Sequence, residues 1–373
     1  MKDHGSDMNG FRILAINPGS TSTKVALFEG DGALAHKTLS HSDQVLSKSK
    51  RVLEQLDMRI GAIQEFLEEN RIVLVHAVAG RGGLLRPLPG GTYRVNETML
   101  RELAEARYGE HASNLGPLLA SHFGGKFGTP AFIVDPISVD EFEPCSRISG
   151  VPGIERQCRV HALNIKAVAR RRALEMGRAL EDTRFVVAHL GGGISVCALA
   201  GGRIVDSTDA LLGEGPFSME RSGTLPLAGL IDLCFDKGLS KEDVRSLLSR
   251  GSGFTGYTGC GRFMAALERI EGRDTLPSLV FEAMVRQTIK WIGAMMALCK
   301  GKPDAVILTG GMANSKYLID AISACIGPFA EVISYPGEFE MEALAEGVLR
   351  VLQKREPALE YQGHSEEHLL FSD

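Results

Sequence analysis

The stretch ILAINPGSTSTKVALFEGDGAL, residues 13–34, runs from an apolar segment into a loop of glycine and hydroxyl residues that ends at Lys24. A P-loop has the same ingredients, but it needs a glycine directly before the lysine and a helix after it. Here Thr23 precedes Lys24, and only five residues separate Lys24 from the turn signal Gly30-Asp31-Gly32. Five residues are too few for a helix and suit a strand. The segment predicts strand, tight turn, strand, turn, strand, and the P-loop reading fails. An anion held at such a turn meets backbone N–H groups and hydroxyls instead of a helix end.

The unit occurs twice. FRILAINPGSTSTKVALFEGDGALAH (11–36) and TRFVVAHLGGGISVCALAGGRIVDS (183–207) share a strand, a polar closing residue, a Gly/Ser turn and two further strands. Asn17 falls opposite His189, and one residue of gap brings Val25-Ala26-Leu27-Phe28 against Val196-Cys197-Ala198-Leu199. Similarity carried through three strands predicts duplicated domains rather than a short-period solenoid. Leu53 to Asn70, His161 to Leu180 and Leu279 to Cys299 read as helices. After a break at Gly301-Lys302-Pro303-Asp304, the apolar strand Ala305-Val306-Ile307-Leu308 runs into Thr309-Gly310-Gly311.

Strands alternating with helices imply an α/β fold, and glycines ending a parallel strand sit where open sheets bind ligands. The expected organisation is a disordered N-terminus (1–10), domains at 11–182 and 183–353, and a polar acidic tail (354–373). The break is expected near Glu181 to Arg184, with a nucleotide cleft between the halves and the last helix free to return to the first domain.

A chain of 373 residues, 44% apolar and 23% charged, suits two globular domains with real cores. A net charge of −5 gives no reason to expect nucleic acid. No apolar run approaches the roughly 20 residues that span a membrane, and the leading MKDHGSDMNG lacks the apolar centre of a signal peptide. Seven cysteines without a C-x-x-C pair argue against a disulfide framework or zinc site. The default compartment is the cytoplasm, with neither membrane nor nucleic acid as partner.

Paired hairpins with a Thr-Gly-Gly strand end resemble the superfamily of acetate and sugar kinases, Hsp70 and actin, whose two domains are ribonuclease H-like. Within it the chain resembles the acetokinase family, and most its butyrate kinases. The first motif is Asn17-Pro18-Gly19-Ser20-Thr21-Ser22-Thr23-Lys24, followed by Gly109-Glu110-His111-Ala112-Ser113-Asn114-Leu115-Gly116 and Arg147-Ile148-Ser149-Gly150. Then come His161-Ala162-Leu163-Asn164, Ala188-His189-Leu190-Gly191-Gly192-Gly193 and Gly213-Glu214-Gly215-Pro216-Phe217. Glu220-Arg221-Ser222-Gly223-Thr224-Leu225-Pro226 and Tyr335-Pro336-Gly337-Glu338 complete the set, which extends from about Phe11 to about Leu352. Any one motif alone is weak; the ordered set is specific.

The resemblance implies reversible transfer of the γ-phosphoryl group of ATP to a short-chain fatty acid, giving acyl phosphate and ADP with Mg²⁺. It also implies a homodimer or higher homo-oligomer formed through the C-terminal domain. Such a reaction needs no base, because a carboxylate is already ionised at neutral pH. The protein must neutralise charge, align the reacting oxygens and exclude water.

Arg221, in a turn-rich stretch without an obvious structural task, and Arg81, flanked by glycines, resemble the family's two active-site arginines. His161 opens a helix, whose N-terminus favours the neutral ring; the resemblance implies that it hydrogen-bonds the transferring phosphoryl group. Arg81, His111, Asn114 and Val160 are implied on the acid's side. Asn17, Ser20, Thr21, Ser22, Lys24, His189, Gly191, Gly192 and Gly193 are implied around the phosphates, with Gly310 and Gly311 at the ribose and α-phosphate. Asp135, at a strand end, is implied to orient Mg²⁺, with Asn17 and a carboxylate among Glu338, Glu340 and Glu342 completing the shell; Glu340 is favoured.

The chain departs from the family pattern at Met219 and Ile165, and in Gly256 to Arg262, where relatives carry an Asp or Asn that contacts the nucleotide. Val160 replaces a larger apolar residue of acetate kinases, and glycines surround Arg81, so a butyrate-sized or branched acid is expected to fit. The alternative is an acetate or propionate kinase. A more distant one is an ATP-driven switch like Hsp70 or actin, which needs no carboxylate-binding arginine pair.

Overall fold

The computed structural model describes residues 10–47 and 49–363. Residues 1–9 and 364–373, to which nearly all of the expected disordered start and half of the polar tail belong, lie outside the described residues. The chain divides into two compact units: unit 1 is the chain up to Val139 together with the chain from Phe339 on, and unit 2 is Asp140–Glu338.

Unit 1 holds strands β1 (Arg12–Pro18), β2 (Ser22–Glu29), β3 (Gly32–Ser40), β4 (Ala77–Arg81), β5 (Thr92–Arg94) and β6 (Ala131–Val134), with the two-residue edge strand Leu359–Glu360. Their order is edge strand, β5, β6, β4, β1, β2, β3. Lys24 lies inside β2, antiparallel to β1, as the rejection of the P-loop requires. Alternating side chains Leu14 and Ile16 of β1, with Val25 and Leu27 of β2, pack with Ile63, Phe66, Leu119 and Phe123. Those partners come from helices Leu56–Glu69 and Leu115–Phe127. The helix Glu340–Leu352 also belongs to this unit and packs on β1, β4 and β6.

Unit 2 holds β7 (Arg184–Leu190), β8 (Ile194–Ala200), β9 (Arg203–Ser207), β10 (Ala305–Gly310) and β11 (Val332–Pro336), in the order β11, β10, β7, β8, β9. The helix Thr275–Leu298 buries Phe281, Met284, Val285, Ile292 and Met295, spaced by a helical period, in one cluster with Val186, Ala188, Val196 and Leu308 of the strands. The helix Ala162–Glu175 packs on β7 and β10. The expected break near 181–184 therefore falls inside unit 2. The physical reason is that 140–182 is tied to this sheet: the buried Glu141 carboxylate accepts from Lys166 Nζ (2.9 Å) and from the Ile204 N–H (2.7 Å).

The duplication is visible in the ladders. β3-β2-β1-β4-β6 and β9-β8-β7-β10-β11 share one order and one sense: two antiparallel pairs, then two parallel ones. Both outer pairs carry a register shift, at Leu27/Phe28 and at Ala198/Leu199, which are equivalent positions in the aligned sequences. Pro18 pairs with Thr23, and Leu190 with Ile194, so the first turn is one residue longer than the second. That extra residue is the alignment gap.

No helix among the described residues is long and apolar enough to cross a membrane.

Candidate active site

In unit 2 the site is built around two histidines. His189 is the penultimate residue of β7, and His161 is the N-cap residue of the helix Ala162–Glu175. Their rings stack with centroids 3.9 Å apart and planes 8° from parallel. His161 Nδ1 lies 2.9 Å from Ser195 Oγ. His189 Nδ1 lies 3.0 Å from Asn164 Nδ2, which also donates to Thr309 Oγ1 at 3.1 Å. His189, Asn164, Ser195 and Thr309 are all buried, so each ring orientation is held by partners shielded from water.

The Gly191–Gly193 turn stands over this layer, with the middle glycine exposed. Ser218 Oγ donates to the Gly192 carbonyl (2.6 Å), and the Arg221 guanidinium donates to the Ala210 carbonyl. A Cβ on Gly193 would overlap Arg221 Nη1 and stand 2.9 Å from the Ala210 oxygen. Only glycine lets the guanidinium lie against the turn. Burial pushes the Arg221 pKa below its ordinary value, opposed by the charges of Glu220 and Asp209. Among the described residues no carboxylate pairs with it. A half-buried cation bonded to a neutral carbonyl is a ready anion site.

Unit 1 carries a second polar constellation. Arg81 ends β4, and Asn17 sits near the end of β1. Glu340, the first residue of its helix, is 6% exposed and accepts from Asn17 Nδ2 (2.7 Å) and from Arg81 Nη1 (2.8 Å) through one oxygen, Oε2. Asp135 follows β6 at φ +37°, buried, with Oδ1 accepting the Gly91 N–H at 2.8 Å. His111 caps a short helical turn and shares Nδ1 with Ser113 Oγ (2.7 Å). Burial first, then the charge of Arg81, lowers its pKa.

The first hairpin turn is held from behind by Arg59, a residue that sequence reasoning missed. Its fully buried guanidinium donates to the carbonyls of Gly19 (2.9 Å) and Ser22 (3.1 Å) and to Thr23 Oγ1 (2.8 Å). Burial pushes its pKa down to about 10. With those carbonyls turned inward, Ser20, Thr21 and Lys24 are left at the exposed side of the turn, and Ser22 is half-buried.

Several sequence expectations change on this geometry. The glycines around Arg81 do not open space for an acid. A Cβ on Gly82 would meet Pro136 Cα at 2.9 Å, one on Gly83 would meet Asn114 Cα at 2.6 Å, and one on Gly80 would meet the Gly116 carbonyl carbon at 2.6 Å. The chain itself occupies the room. Asn114 is engaged by backbone, accepting from Leu84 N–H (2.9 Å) and donating to the Gly109 carbonyl (2.8 Å), which makes it a clamp for that loop. Val160 is 7% exposed. Gly310 closes β10 and bonds Gly337 through its N–H and carbonyl, both at 3.0 Å, while Gly311 is exposed. Gly256 to Thr258, the start of the stretch that departs from the family pattern, are the end of the helix Gly253–Thr258.

Asn164, Ser195 and Thr309, which hold the two histidines, were also not singled out as site residues, although Asn164 and Thr309 lie within the quoted motifs. The available signal was weak: Asn164 stands three positions after His161 on one helix, and Ser195 and Thr309 are common strand residues. A cavity of 610 Å³ in unit 2, lined by Phe217, Leu225, Pro226, Tyr257, Leu279 and Val280 among others, includes none of the expected site residues.

Residues 152–324 match the Acetokinase family. The acetate kinase of Porphyromonas gingivalis is similar in fold, with a TM-score of 0.76 at 18% identity over 92% of this chain and 100% of that one. The acetate kinase of Entamoeba histolytica gives 0.72 at 19% identity over 90% and 98%. A propionate kinase from Francisella tularensis subsp. tularensis SCHU S4 gives 0.70 at 18% over 90% and 98%.

Proposed function

We propose, with the acetokinase match at 152–324 as premise, that this chain is a carboxylate kinase passing the ATP γ-phosphoryl group directly to a short-chain acid. Arg221 carries the reading: a cation without a carboxylate partner among the described residues, fixed against a glycine turn that admits no side chain.

The roles follow from charge. A carboxylate attacking ATP brings anion toward anion, so the barrier falls where fixed cations and N–H donors meet the growing charge. Arg221 is assigned to the transferring phosphoryl group and the acid, and His161 and His189 to phosphoryl oxygens as hydrogen-bond donors. Asn17, Ser20, Thr21, Ser22 and Lys24 offer hydroxyls and N–H groups to the remaining phosphates, and Gly191 to Gly193 let backbone approach them. Gly310 and Gly311 are assigned to the ribose side. Asn17 Oδ1 and the Glu340 carboxylate are hard oxygen donors that fit Mg²⁺, with Asp135 as a further candidate. Bound Mg²⁺ neutralises phosphoryl charge. Arg81 binds the acid in this reading, and its bond to Glu340 sets its position.

The acid is acetate or propionate on the strength of the fold neighbours' names. Val160 is the remaining support for butyrate or a branched acid, since the room once read into the Arg81 glycines is filled. One methylene is worth only about 1–3 kcal/mol of discrimination, so acid preferences overlap. The helix Leu227–Phe235, with no buried residue and with Leu227, Ile231 and Phe235 exposed, supports self-association through unit 2.

Hydroxylamine trapping of acyl phosphate, across acetate, propionate, butyrate, isobutyrate and isovalerate with ATP and Mg²⁺, tests the reading. Arg221→Ala is expected to lose roughly 10²–10³-fold in turnover. Full turnover of that variant on every acid sinks the site assignment, and slow ATP hydrolysis indifferent to all acids favours a switch protein.

A further inference from the structure

We propose that Asn164 is a positioning residue that fixes the proton of the His189 ring on Nε2, making the histidine a permanent hydrogen-bond donor toward the Gly191–Gly193 turn. The argument follows hydrogens along a buried chain. Thr309 Oγ1 donates its single hydrogen to the Gly337 carbonyl at 3.3 Å. Its oxygen can then only accept from Asn164 at 3.1 Å, so the atom of Asn164 facing it is the NH₂ group. The same NH₂ faces His189 Nδ1 at 3.0 Å. A nitrogen that receives an N–H is bare, and the neutral imidazole must carry its proton on Nε2.

Geometry sends that proton the right way. Nε2 lies at the turn, since a Cβ placed on Gly191 would stand 3.0 Å from it. The stacked His161 ring holds the imidazole plane, and within that plane the Asn164 bond chooses the face, since a half-turn of the ring would keep the stack but lose that bond. Thr309 and Gly337 occupy the end of β10 and the residue after β11, so the tautomer is set by the strand ends behind the turn.

Phosphate oxygens at the turn accept hydrogen bonds and donate none at neutral pH, so a bare Nε2 there would repel them. What the donor serves rests on the carboxylate kinase reading; the tautomer itself does not.

The test is long-range ¹H–¹⁵N correlation NMR on the full chain with ¹⁵N-histidine, with His189 assigned from its loss in His189→Gln. Wild type is expected to show a bare Nδ1 and a protonated Nε2 at neutral pH. Asn164→Asp, equal in shape, presents an acceptor to Nδ1 and is expected to protonate it, with kcat for acyl phosphate falling roughly 100-fold while KM for the acid holds. Thr309→Val, which removes the oxygen that orients the amide, is expected to give a mixture of tautomers, and it serves if Asn164→Asp fails to fold. A protonated Nδ1 in wild type overturns the proposal, as does a bare Nδ1 in Asn164→Asp. Wild type with the expected tautomer but no acyl phosphate from any acid upholds the positioning claim and sinks the kinase reading instead.

Discussion

Single residues in this protein divide by how their charge is compensated. Lys166 and Glu141 are a buried pair, 4% and 5% exposed at their side chains; Lys166 also donates to the Gly202 carbonyl and Glu141 also accepts from the Ile204 N–H. Removing one member strands the other in low dielectric. Lys166→Met is therefore expected to lower unfolding free energy by about 3–5 kcal/mol, and Lys166→Met with Glu141→Gln by clearly less, as read by urea titration. Arg221 is the opposite case: its charge lacks a carboxylate among the described residues, which is the ground for proposing that it meets an anionic substrate. His161, Arg81 and Arg221 could be picked out as candidates because family motifs and glycine-rich or helix-start surroundings mark them in the sequence. Arg59 and Asn164 were not, because each acts through atoms far away in sequence, Gly19 and Ser22 for one and His189 and Thr309 for the other.

Among the elements, the two turns do most of the arranging. Gly192 faces open space, whereas a side chain on Gly193 would displace the Arg221 guanidinium. Gly193→Ala is accordingly expected to lose acyl phosphate formation nearly as severely as Arg221→Ala, while Gly192→Ala keeps most of it in the hydroxylamine assay. Equal effects of the two alanines would show that Arg221 does not depend on the turn. The first turn uses a different support, the Arg59 guanidinium holding carbonyls inward. Hairpin and turn were readable from spacing alone, since five residues between Lys24 and Gly30 exclude a helix. What stands behind each turn was not, because nothing in a hairpin's own sequence specifies the residue that packs beneath it.

For the molecule as a whole, two solution properties follow. Burial, then the charge of Arg81, depresses the pKa of His111, and burial, then Arg59, depresses that of His41. Below their ordinary value of 6.5, the unfolded chain takes up protons that the folded chain resists. Stability contributed by these groups is thus present above 6.5 and falls as pH drops through the window beneath it. Urea midpoints on either side of that pH should show a shallower loss in His111→Gln than in wild type. The exposed stripe Leu227, Ile231 and Phe235, 73%, 56% and 80% accessible, is the surface assigned to self-association. Ile231→Glu with Phe235→Glu is expected to shift sedimentation toward the monomer, and an unchanged coefficient would remove that assignment.

The sequence by itself determined the duplicated hairpin, the α/β layering and the family resemblance, because strand period, turn chemistry and glycine spacing are local and survive in one dimension. Tertiary structure alone decided that the segment 140–182 belongs to the second unit, since a helix's partner sheet depends on contacts that its own amphipathic pattern does not name. It also decided that the Arg81 glycines make room for Pro136, Asn114 and Gly116 rather than for an acid. A missing side chain in a sequence shows that something comes close, and only the folded chain shows what.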